Sequence, residues 1–276
     1  MKILIVGLGL MGGAYAYRLK ELGYTVYGSD INLKSIEYAK NNNFIDDGSV
    51  DPLDFIEKSD IILIALYPKL ILDFINKYHS YFNENQVITD LCGVKSVFVS
   101  KATKLSLPAS YISHHPMAGK EKVGIEYAKE CVFKDANFLI IKSKETNETK
   151  IPTIEKLGKD LGFKRISIMN EKTHDKMIGY TSQLTHALAV SLVNGDHDKN
   201  TKNYIGDSYR DLTRIANINE NLWSELFLDN KKALIEHINS FEIELNLIKR
   251  ALETNDSELL KEIFRKSTKK RKEMDK

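Results

Sequence analysis

Short apolar runs alternate with stretches of helical periodicity along the first 170 residues of the chain. Most of these runs are apolar at consecutive positions, which is typical of strands buried on both faces. Helical patterns lie between several of them, at 14–23, 35–43 and 70–82. Strand alternating with helix predicts βαβ units and a doubly wound, mostly parallel sheet, in which some later strands pair antiparallel. The apolar runs are KILIVG (2–7), TVYGSD (25–30), DIILIAL (60–66), QVITDL (86–91), SYISHHP (110–116), NFLIIKS (137–143) and RISIM (165–169).

The pattern changes after residue 170, where we predict no further strand. Residues 173–194 are predicted to form one long helix, and a last helix is predicted to begin at a cap near Asp256 or Ser257. We therefore predict an α/β fold, with a Rossmann-type doubly wound sheet in residues 1–170 and an all-helical C-terminal domain in residues 171–276. A heptad-like apolar seam in that domain requires a partner helix, either within the domain or across a dimer. Its members are Leu234, Ile238, Phe241, Leu245, Ile248 and Leu252.

Composition narrows the class of protein only slightly. Forty basic and 38 acidic residues give a net charge of +2, so no nucleic acid or membrane partner is expected from the bulk charge. We interpret the basic tail, 266–276, as a solvated, frayed terminus. Cys92 and Cys131 form no CxxC pair or ligand cluster, so we expect reduced thiols in a cytoplasmic protein that binds no metal. Neither a signal peptide nor an apolar run of about 20 residues is present.

A GxGxxG motif follows the first predicted strand and begins the first predicted helix. Gly7 permits a tight turn, Gly9 lets the backbone approach a pyrophosphate, and Gly12 lets the helix pack on the sheet. The amides at the helix start meet the anion. We therefore predict dinucleotide binding by the loop formed by Gly7, Leu8, Gly9, Leu10, Met11 and Gly12.

Asp30 ends the second predicted strand, where a carboxylate accepts hydrogen bonds from the adenosine ribose. The same charge repels a 2′-phosphate, and no arginine follows directly, so the predicted cofactor is NAD rather than NADP. Tyr67 and Pro68 follow the third buried run, at the sheet edge where cofactors lie.

Four segments resemble, in this order, those of the prephenate dehydrogenases, a family of tyrosine biosynthesis that includes arogenate dehydrogenases. They are TDLCGVK (89–95), HHPMAGKEKVG (114–124), HDKMIGYTSQLTHALA (174–189) and DLTRIANINENLW (211–223). The resemblance covers essentially the whole chain. It implies a homodimer through the helical domain and an NAD-dependent oxidative decarboxylation of prephenate to 4-hydroxyphenylpyruvate, with CO2 and NADH as the other products.

This chemistry needs a base, because the ring hydroxyl must lose its proton as hydride leaves the same carbon. Imidazole has a suitable ordinary pKa of about 6.5. Among the seven histidines, His115 directly precedes Pro116 and matches the catalytic histidine of the family's HP-x-AG motif. Side chains alternate along a strand, so its neighbour His114 is expected on the opposite face.

Three further residues are expected at the substrate because of the resemblance. His186 matches a histidine that lines the family's substrate pocket, and a satisfied core histidine is the alternative. Arg214 matches the arginine that binds a substrate carboxylate, to which a planar guanidinium can form two parallel hydrogen bonds. Trp223 matches a residue that the family extends across the dimer, and simple packing is an equal alternative.

Two positions depart from the family pattern. Several relatives have a serine in the TD-x-x-S-V-K loop that hydrogen-bonds the catalytic histidine, whereas this chain has Gly93, after Cys92. Some other group or water must therefore orient His115. Lys120 stands where some relatives have a small hydroxyl residue. We expect it near the substrate, where its charge is predicted to favour prephenate over arogenate. Lys95 in the serine loop is expected either to meet a ligand or to be solvated.

The alternatives are an arogenate dehydrogenase, a β-hydroxyacid dehydrogenase and a non-catalytic NAD-binding protein. β-Hydroxyacid dehydrogenases usually rely on a lysine base in the helical domain, where this chain offers His186 and Gln183. Gly93 is the one feature that favours a non-catalytic protein. The joint presence of Asp30, His115, His186 and Arg214 argues against it.

Overall fold

A six-stranded parallel sheet forms the first part of the computed structural model, which describes residues 1–274. The strand order is β3-β2-β1-β4-β5-β6, so strands are added first on one side of β1 and then on the other. This confirms the predicted Rossmann-type sheet. The strands are β1 (Lys2–Val6), β2 (Thr25–Ser29), β3 (Asp47–Ser49), β4 (Ile61–Ile64), β5 (Val87–Asp90) and β6 (Ser110–Tyr111). The helices between them are α1 (Leu10–Glu21), α2 (Leu33–Asn41), α3 (Leu53–Ile56), α4 (Pro68–Tyr78) and α5 (Val99–Ala102).

Both faces of this sheet are buried, as consecutive apolar residues predict. Ile3 and Ile5 pack into the hydrophobic cluster on one face, whereas Leu4 and Val6 pack into the cluster on the other. The central strand therefore needs apolar residues at every position, because successive side chains point to opposite faces.

A second, three-stranded sheet follows, and it places the predicted catalytic histidine. β7 (Ser113–Pro116) pairs antiparallel with β8 (Asn137–Ile141), and β8 pairs parallel with β9 (Arg165–Met169). α6 (Ile151–Asp160) connects β8 to β9. The expectation of some antiparallel pairing is thus confirmed.

Only helices follow Met169 in the part of the chain that the structure describes, as predicted. The helix expected over 173–194 is interrupted by a π turn, Gly179–Gln183, which separates α7 (Glu171–Ile178) from α8 (Leu184–Asn194). α9 (Asp207–Thr213) and α10 (Glu220–Asp229) complete a compact unit that spans residues 1–230.

α11 (Lys231–Glu253) and α12 (Ser257–Met274) form a second unit. The Asp256 carboxylate accepts a hydrogen bond from the Leu259 amide at 2.9 Å, which confirms the predicted cap. Within the predicted seam, Leu245 and Leu252 are 52% and 61% exposed.

The basic tail is helical rather than frayed, so that prediction is wrong for residues 266–274, while Asp275 and Lys276 lie outside the described residues. Lysine, arginine, glutamate and methionine are good helix formers, and the Asp256 cap begins a helix that they continue. Throughout residues 1–274, no helix is both long and apolar enough to cross a membrane.

His114 is fully buried, with a hydrogen-bond partner on each ring nitrogen. Its Nε2 lies 3.0 Å from the Tyr15 hydroxyl, and its Nδ1 lies 2.6 Å from Thr89 Oγ1. Burial, followed by the charge of Lys95, lowers the pKa of His114 to about 3. His114 therefore stabilises the fold only as a neutral ring.

The neutral state of His114 predicts acid sensitivity of the fold. Between about pH 6.5 and pH 3 the unfolded chain binds a proton at His114 that the folded chain does not, so the free energy of unfolding falls as the pH falls. We expect His114 to contribute about 1.4 kcal/mol per pH unit well below pH 6.5. Urea unfolding at neutral pH and at about pH 5 measures this slope. His114→Gln should be less stable at neutral pH and should lose less stability on acidification, and equal losses would contradict the assignment.

Candidate active site

The glycine loop connects β1 to α1 in a conformation that two of its glycines require. Gly7 has a φ of +94°, and a Cβ there would lie 2.6 Å from the carbonyl oxygen of Ala65. A Cβ on Gly12 would lie 1.8 Å from the carbonyl oxygen of Gly7. A Cβ on Gly9 would meet no atom within 4 Å, so the space above this residue is open. The loop is tight on its sheet side and accessible at Gly9.

The start of α1 is suited to an anion. Gly9 caps the helix without a side-chain hydrogen bond, and the first amides of any helix have no partner within it. Leu8 is buried, whereas Leu10 and Met11 are partly exposed beside these amides. The geometry fits the pyrophosphate of a dinucleotide.

Asp30 lies beside this loop, at the end of β2. Its Oδ2 accepts a hydrogen bond from the Leu8 amide at 2.6 Å, and its Oδ1 accepts one from the Asn32 amide at 2.8 Å. The carboxylate is therefore fixed next to the loop, and each oxygen retains a lone pair for a further donor.

Tyr67 caps α4 and Pro68 is its first residue, shortly after β4, the neighbour of β1. Strand order reverses between β1 and β4, and ligands of such sheets bind in the crevice at this point. Pro68 is buried, whereas the Tyr67 ring is 40% exposed and its hydroxyl lies 3.3 Å from Nδ2 of Asn219. The glycine loop and these residues thus share one crevice.

His115 lies on β7 and is partly exposed as a residue, whereas the preceding His114 faces the core, as strand alternation predicts. The Nδ1 atom of His115 lies 2.9 Å from Nε2 of His174, a fully buried residue of α7. A Cβ built on Gly119, in the loop after β7, lies 4.0 Å from Sδ of Met11. The segment that begins with His115 therefore reaches the glycine loop.

Burial lowers the pKa of His115 well below its ordinary value, and the nearby His174, Lys95 and His114 lower it further. The ring is therefore neutral at neutral pH. A neutral imidazole can accept a proton, as a general base requires.

Lys95 stabilises the strand that bears His115. Its side chain is fully buried, and Nζ donates to Oδ1 of Asp90 at 2.7 Å and to the carbonyl oxygen of His114 at 2.8 Å. Burial raises the pKa of Asp90, but Lys95 outweighs this effect and the pKa lies below its usual value. The expectation of a solvated or ligand-binding Lys95 is wrong, because both members of this ion pair are inaccessible to solvent.

Cys92 is buried in the same loop, and burial raises the pKa of its thiol to about 12. It is a packing residue and not a nucleophile.

A second group of predicted site residues lies on the helices. His186 is on α8, Trp223 is on α10, and Arg214 directly follows α9. The Trp223 ring stacks on the His186 ring, with centroids 3.7 Å apart. Arg214 forms an ion pair with Glu121, which follows β7. Burial is the main effect on the pKa of His186 and lowers it. The Ser182 carbonyl and Glu121 raise this pKa, and Arg214 lowers it.

Leu226 connects this group to His115. A Cβ built on Gly93 would lie 3.5 Å from Cδ2 of Leu226 and 3.9 Å from Cε1 of His115. Trp223 is one helical turn before Leu226 on α10. Leu226 and His115 therefore both border Gly93.

Lys120 is 41% exposed, and its Nζ lies 3.2 Å from Oε2 of Glu130. Lys122 contacts the same carboxylate at 3.0 Å. The charge expected to select prephenate is thus paired with an acid.

Nothing in the sequence indicates a role for Glu121 or the contact between His174 and His115. The HD pair at 174–175 lies within one of the segments that resemble the family, but its spacing does not show which residue it contacts. The described residues contain no group of three or more histidine, cysteine or acidic side chains arranged to hold a metal.

The fold and the glycine loop define a Rossmann-type dinucleotide-binding protein, and a neutral imidazole on the neighbouring strand fits a dehydrogenase. Residues 15–167 match the family model described as prephenate dehydrogenase, nucleotide-binding domain. Residues 170–266 match the model described as prephenate dehydrogenase, dimerization domain. The chain belongs to the prephenate dehydrogenase family.

Individual relatives agree with this assignment. The chain is 30% identical to a prephenate dehydrogenase of Lactococcus lactis subsp. cremoris, over 99% of this chain and 77% of that protein. It is 28% identical to a prephenate dehydrogenase of Bacillus subtilis, over 95% of this chain and 73% of that protein. A crystal structure of prephenate dehydrogenase from A. aeolicus, in complex with hydroxyphenyl propionate and NAD+, superposes with a TM-score of 0.87 at 28% identity, covering 99% of this chain and 98% of that one.

The contrast between Gly9 and Gly12 predicts two different defects. Gly9→Ala should leave the melting temperature unchanged, because its Cβ meets open space, but should weaken NAD binding by blocking the approach to the loop. Gly12→Ala should lower the melting temperature, because its Cβ collides with the backbone of Gly7. Calorimetric titration with NAD and thermal melts measure both effects. Unaltered NAD affinity in Gly9→Ala would show that the pyrophosphate does not lie on this loop.

Proposed function

We propose that this protein is an NAD-dependent prephenate dehydrogenase that converts prephenate to 4-hydroxyphenylpyruvate in tyrosine biosynthesis. The observation that carries the proposal is a neutral imidazole, His115, on the strand whose following loop reaches the glycine loop. This arrangement provides a proton acceptor beside a dinucleotide crevice. Membership of the family supports the choice of substrate.

The proposed cofactor site consists of the glycine loop with Gly7, Gly9 and Gly12, the Asp30 carboxylate, and Tyr67 with Pro68. The open space at Gly9 and the uncapped start of α1 support this assignment. Bound NAD supplies the hydride acceptor. Asp30 disfavours a 2′-phosphate at the ribose, which supports NAD over NADP.

His115 accepts the proton of the ring hydroxyl. As that O–H bond breaks, its electron pair forms the carbonyl and hydride leaves the same carbon. The ring carboxylate departs as CO2, the electron pair of the broken C–C bond makes the ring aromatic, and the phenolate oxygen takes the proton back from His115. Burial keeps His115 unprotonated at neutral pH, so the base needs no prior deprotonation step.

Arg214 binds a substrate carboxylate, and His186 and Trp223 line the pocket. In the absence of substrate, Glu121 is the partner of Arg214. A substrate carboxylate that takes the place of Glu121 accepts hydrogen bonds from the same planar guanidinium group.

Further parts of the proposal concern organisation. We assign residues 1–170 to cofactor binding and residues 171–276 to substrate binding and dimerisation. The match to a dimerization domain supports a homodimer. Two free cysteines and the biosynthetic role support a cytoplasmic enzyme.

Arogenate is the second candidate substrate. The Lys120 charge that disfavours its amino group is offset by Glu130, which forms ion pairs with Lys120 and Lys122. The same catalytic groups serve both substrates, so NADH formation is to be measured with prephenate, arogenate and a panel of 3-hydroxy acids. Turnover of the 3-hydroxy acids alone would overturn the proposal.

Substitution of the base tests the mechanism directly. His115→Asn should lower kcat by about 10²- to 10⁴-fold, because a positioned general base contributes this much. NAD affinity should remain unchanged, because His115 binds no part of the dinucleotide in this mechanism. The matched control is His197→Asn, at an exposed histidine in a loop. Equal kcat values for the two variants would show that His115 is not the base.

Substitution of the guanidinium tests substrate binding. Arg214→Ala should raise KM for prephenate by roughly 10- to 100-fold with a smaller effect on kcat, because a charged hydrogen bond to the substrate is lost. Arg210→Ala is the control, since Arg210 is also exposed and paired with an acid, Asp207, one turn earlier. A KM that rises equally in both variants would indicate a general disturbance of α9.

A further inference from the structure

Two buried residues extend from the proposed base into the protein. Nδ1 of His115 lies 2.9 Å from Nε2 of His174, and Nδ1 of His174 lies 2.7 Å from Oδ1 of Asp175. His174 is fully buried and Asp175 is 4% exposed. Water therefore does not compete for these hydrogen bonds, and each ring nitrogen in the series must match its neighbour as donor or acceptor.

The end of this series is fixed by the backbone. The Lys95 amide donates to Oδ1 of Asp175 at 2.8 Å, and the Ser96 amide donates to Oδ2 at 2.7 Å. Burial raises the pKa of Asp175, but hydrogen bonds from His174 and Ser96 outweigh it and the pKa lies below its usual value. The side chain is therefore a carboxylate, which only accepts hydrogen bonds, so Nδ1 of His174 is the donor.

The donor at Nδ1 of His174 determines which nitrogen of each imidazole ring carries the hydrogen. A neutral imidazole carries one N–H, so a His174 ring that donates through Nδ1 has a lone pair on Nε2. His115 must then donate through Nδ1, because the facing atom of His174 is an acceptor. The one lone pair of the neutral His115 ring is consequently on Nε2.

We propose that His174 and Asp175 are positioning residues that fix Nε2 as the basic nitrogen of His115 and hold the ring in one orientation. They do the work that the resemblance assigns to a serine hydroxyl at the position of Gly93. The consequence for catalysis rests on the proposed function. When Nε2 takes the substrate hydroxyl proton, a new Nε2–H bond forms as the O–H bond breaks, and Nδ1–H continues to donate to His174.

The tautomer of His115 is measurable without any substrate. In protein labelled with 15N at histidine, two-bond couplings distinguish the Nδ1–H from the Nε2–H ring, and His115→Asn identifies the signals of His115. We expect the Nδ1–H form in the wild-type protein. In His174→Phe we expect a shift toward the Nε2–H form, which free neutral histidine prefers. An Nε2–H ring in the wild-type protein would overturn the proposal, whatever the enzyme's substrate.

Kinetics of two variants separate an acceptor from mere packing. His174→Gln retains an oxygen that can accept from His115, whereas His174→Phe retains the ring shape without an acceptor. We expect Phe to lower kcat by about 10- to 100-fold and Gln to stay within about fivefold of the wild-type value. KM for prephenate and NAD affinity should change little in both variants.

The reverse order, with Phe as active as the wild-type protein and Gln impaired, would show that His174 only fills space. Thermal melts accompany both variants, since a buried substitution can unfold the chain. If neither variant folds, the wild-type tautomer measurement still decides the proposal.

Discussion

One buried carboxylate, bonded to two backbone amides, connects the sheet of this protein to its helical segment. The Asp175 carboxylate, on α7, accepts hydrogen bonds from the backbone amides of Lys95 and Ser96 in the loop after β5. The side chain of Lys95 in turn binds Asp90 and the carbonyl of His114. Removing one partner of a buried ion pair typically costs about 3–5 kcal/mol, because the other charge is left without compensation. The interior network therefore sets where β7 and α7 lie, and thereby where the site residues meet.

Much of the fold could be predicted from residues alone, because its causes are local. Consecutive apolar residues in 2–7 and 60–66 predict strands buried on both faces, and the sheet places them at its centre. The glycine spacing predicts the loop, because Gly7 has a positive φ and Gly12 approaches a carbonyl. A histidine near the crevice could also be expected, because the HP motif follows an apolar run and resembles the motif of the family's catalytic histidine.

The remainder depends on distant contacts or on weak local signals. β3 is three polar or small residues, DGS, that form a strand only because β2 offers an edge. The π turn inserts a residue into an otherwise regular helical pattern, and the spacing of residues 173–194 gives no sign of it. Lys95 resembles any solvated lysine in sequence, and its burial follows from Asp90 and the His114 carbonyl. The ion pair of Arg214 with Glu121 likewise joins segments far apart in the chain.

The open position at Gly93 makes the loop tolerant of a small side chain. A methyl-sized group there would make ordinary van der Waals contact, at 3.5 Å from Leu226 and 3.9 Å from His115. The backbone at Gly93 has no positive φ, so the loop does not require glycine for its course. A serine in its place would fit without displacing the neighbouring side chains.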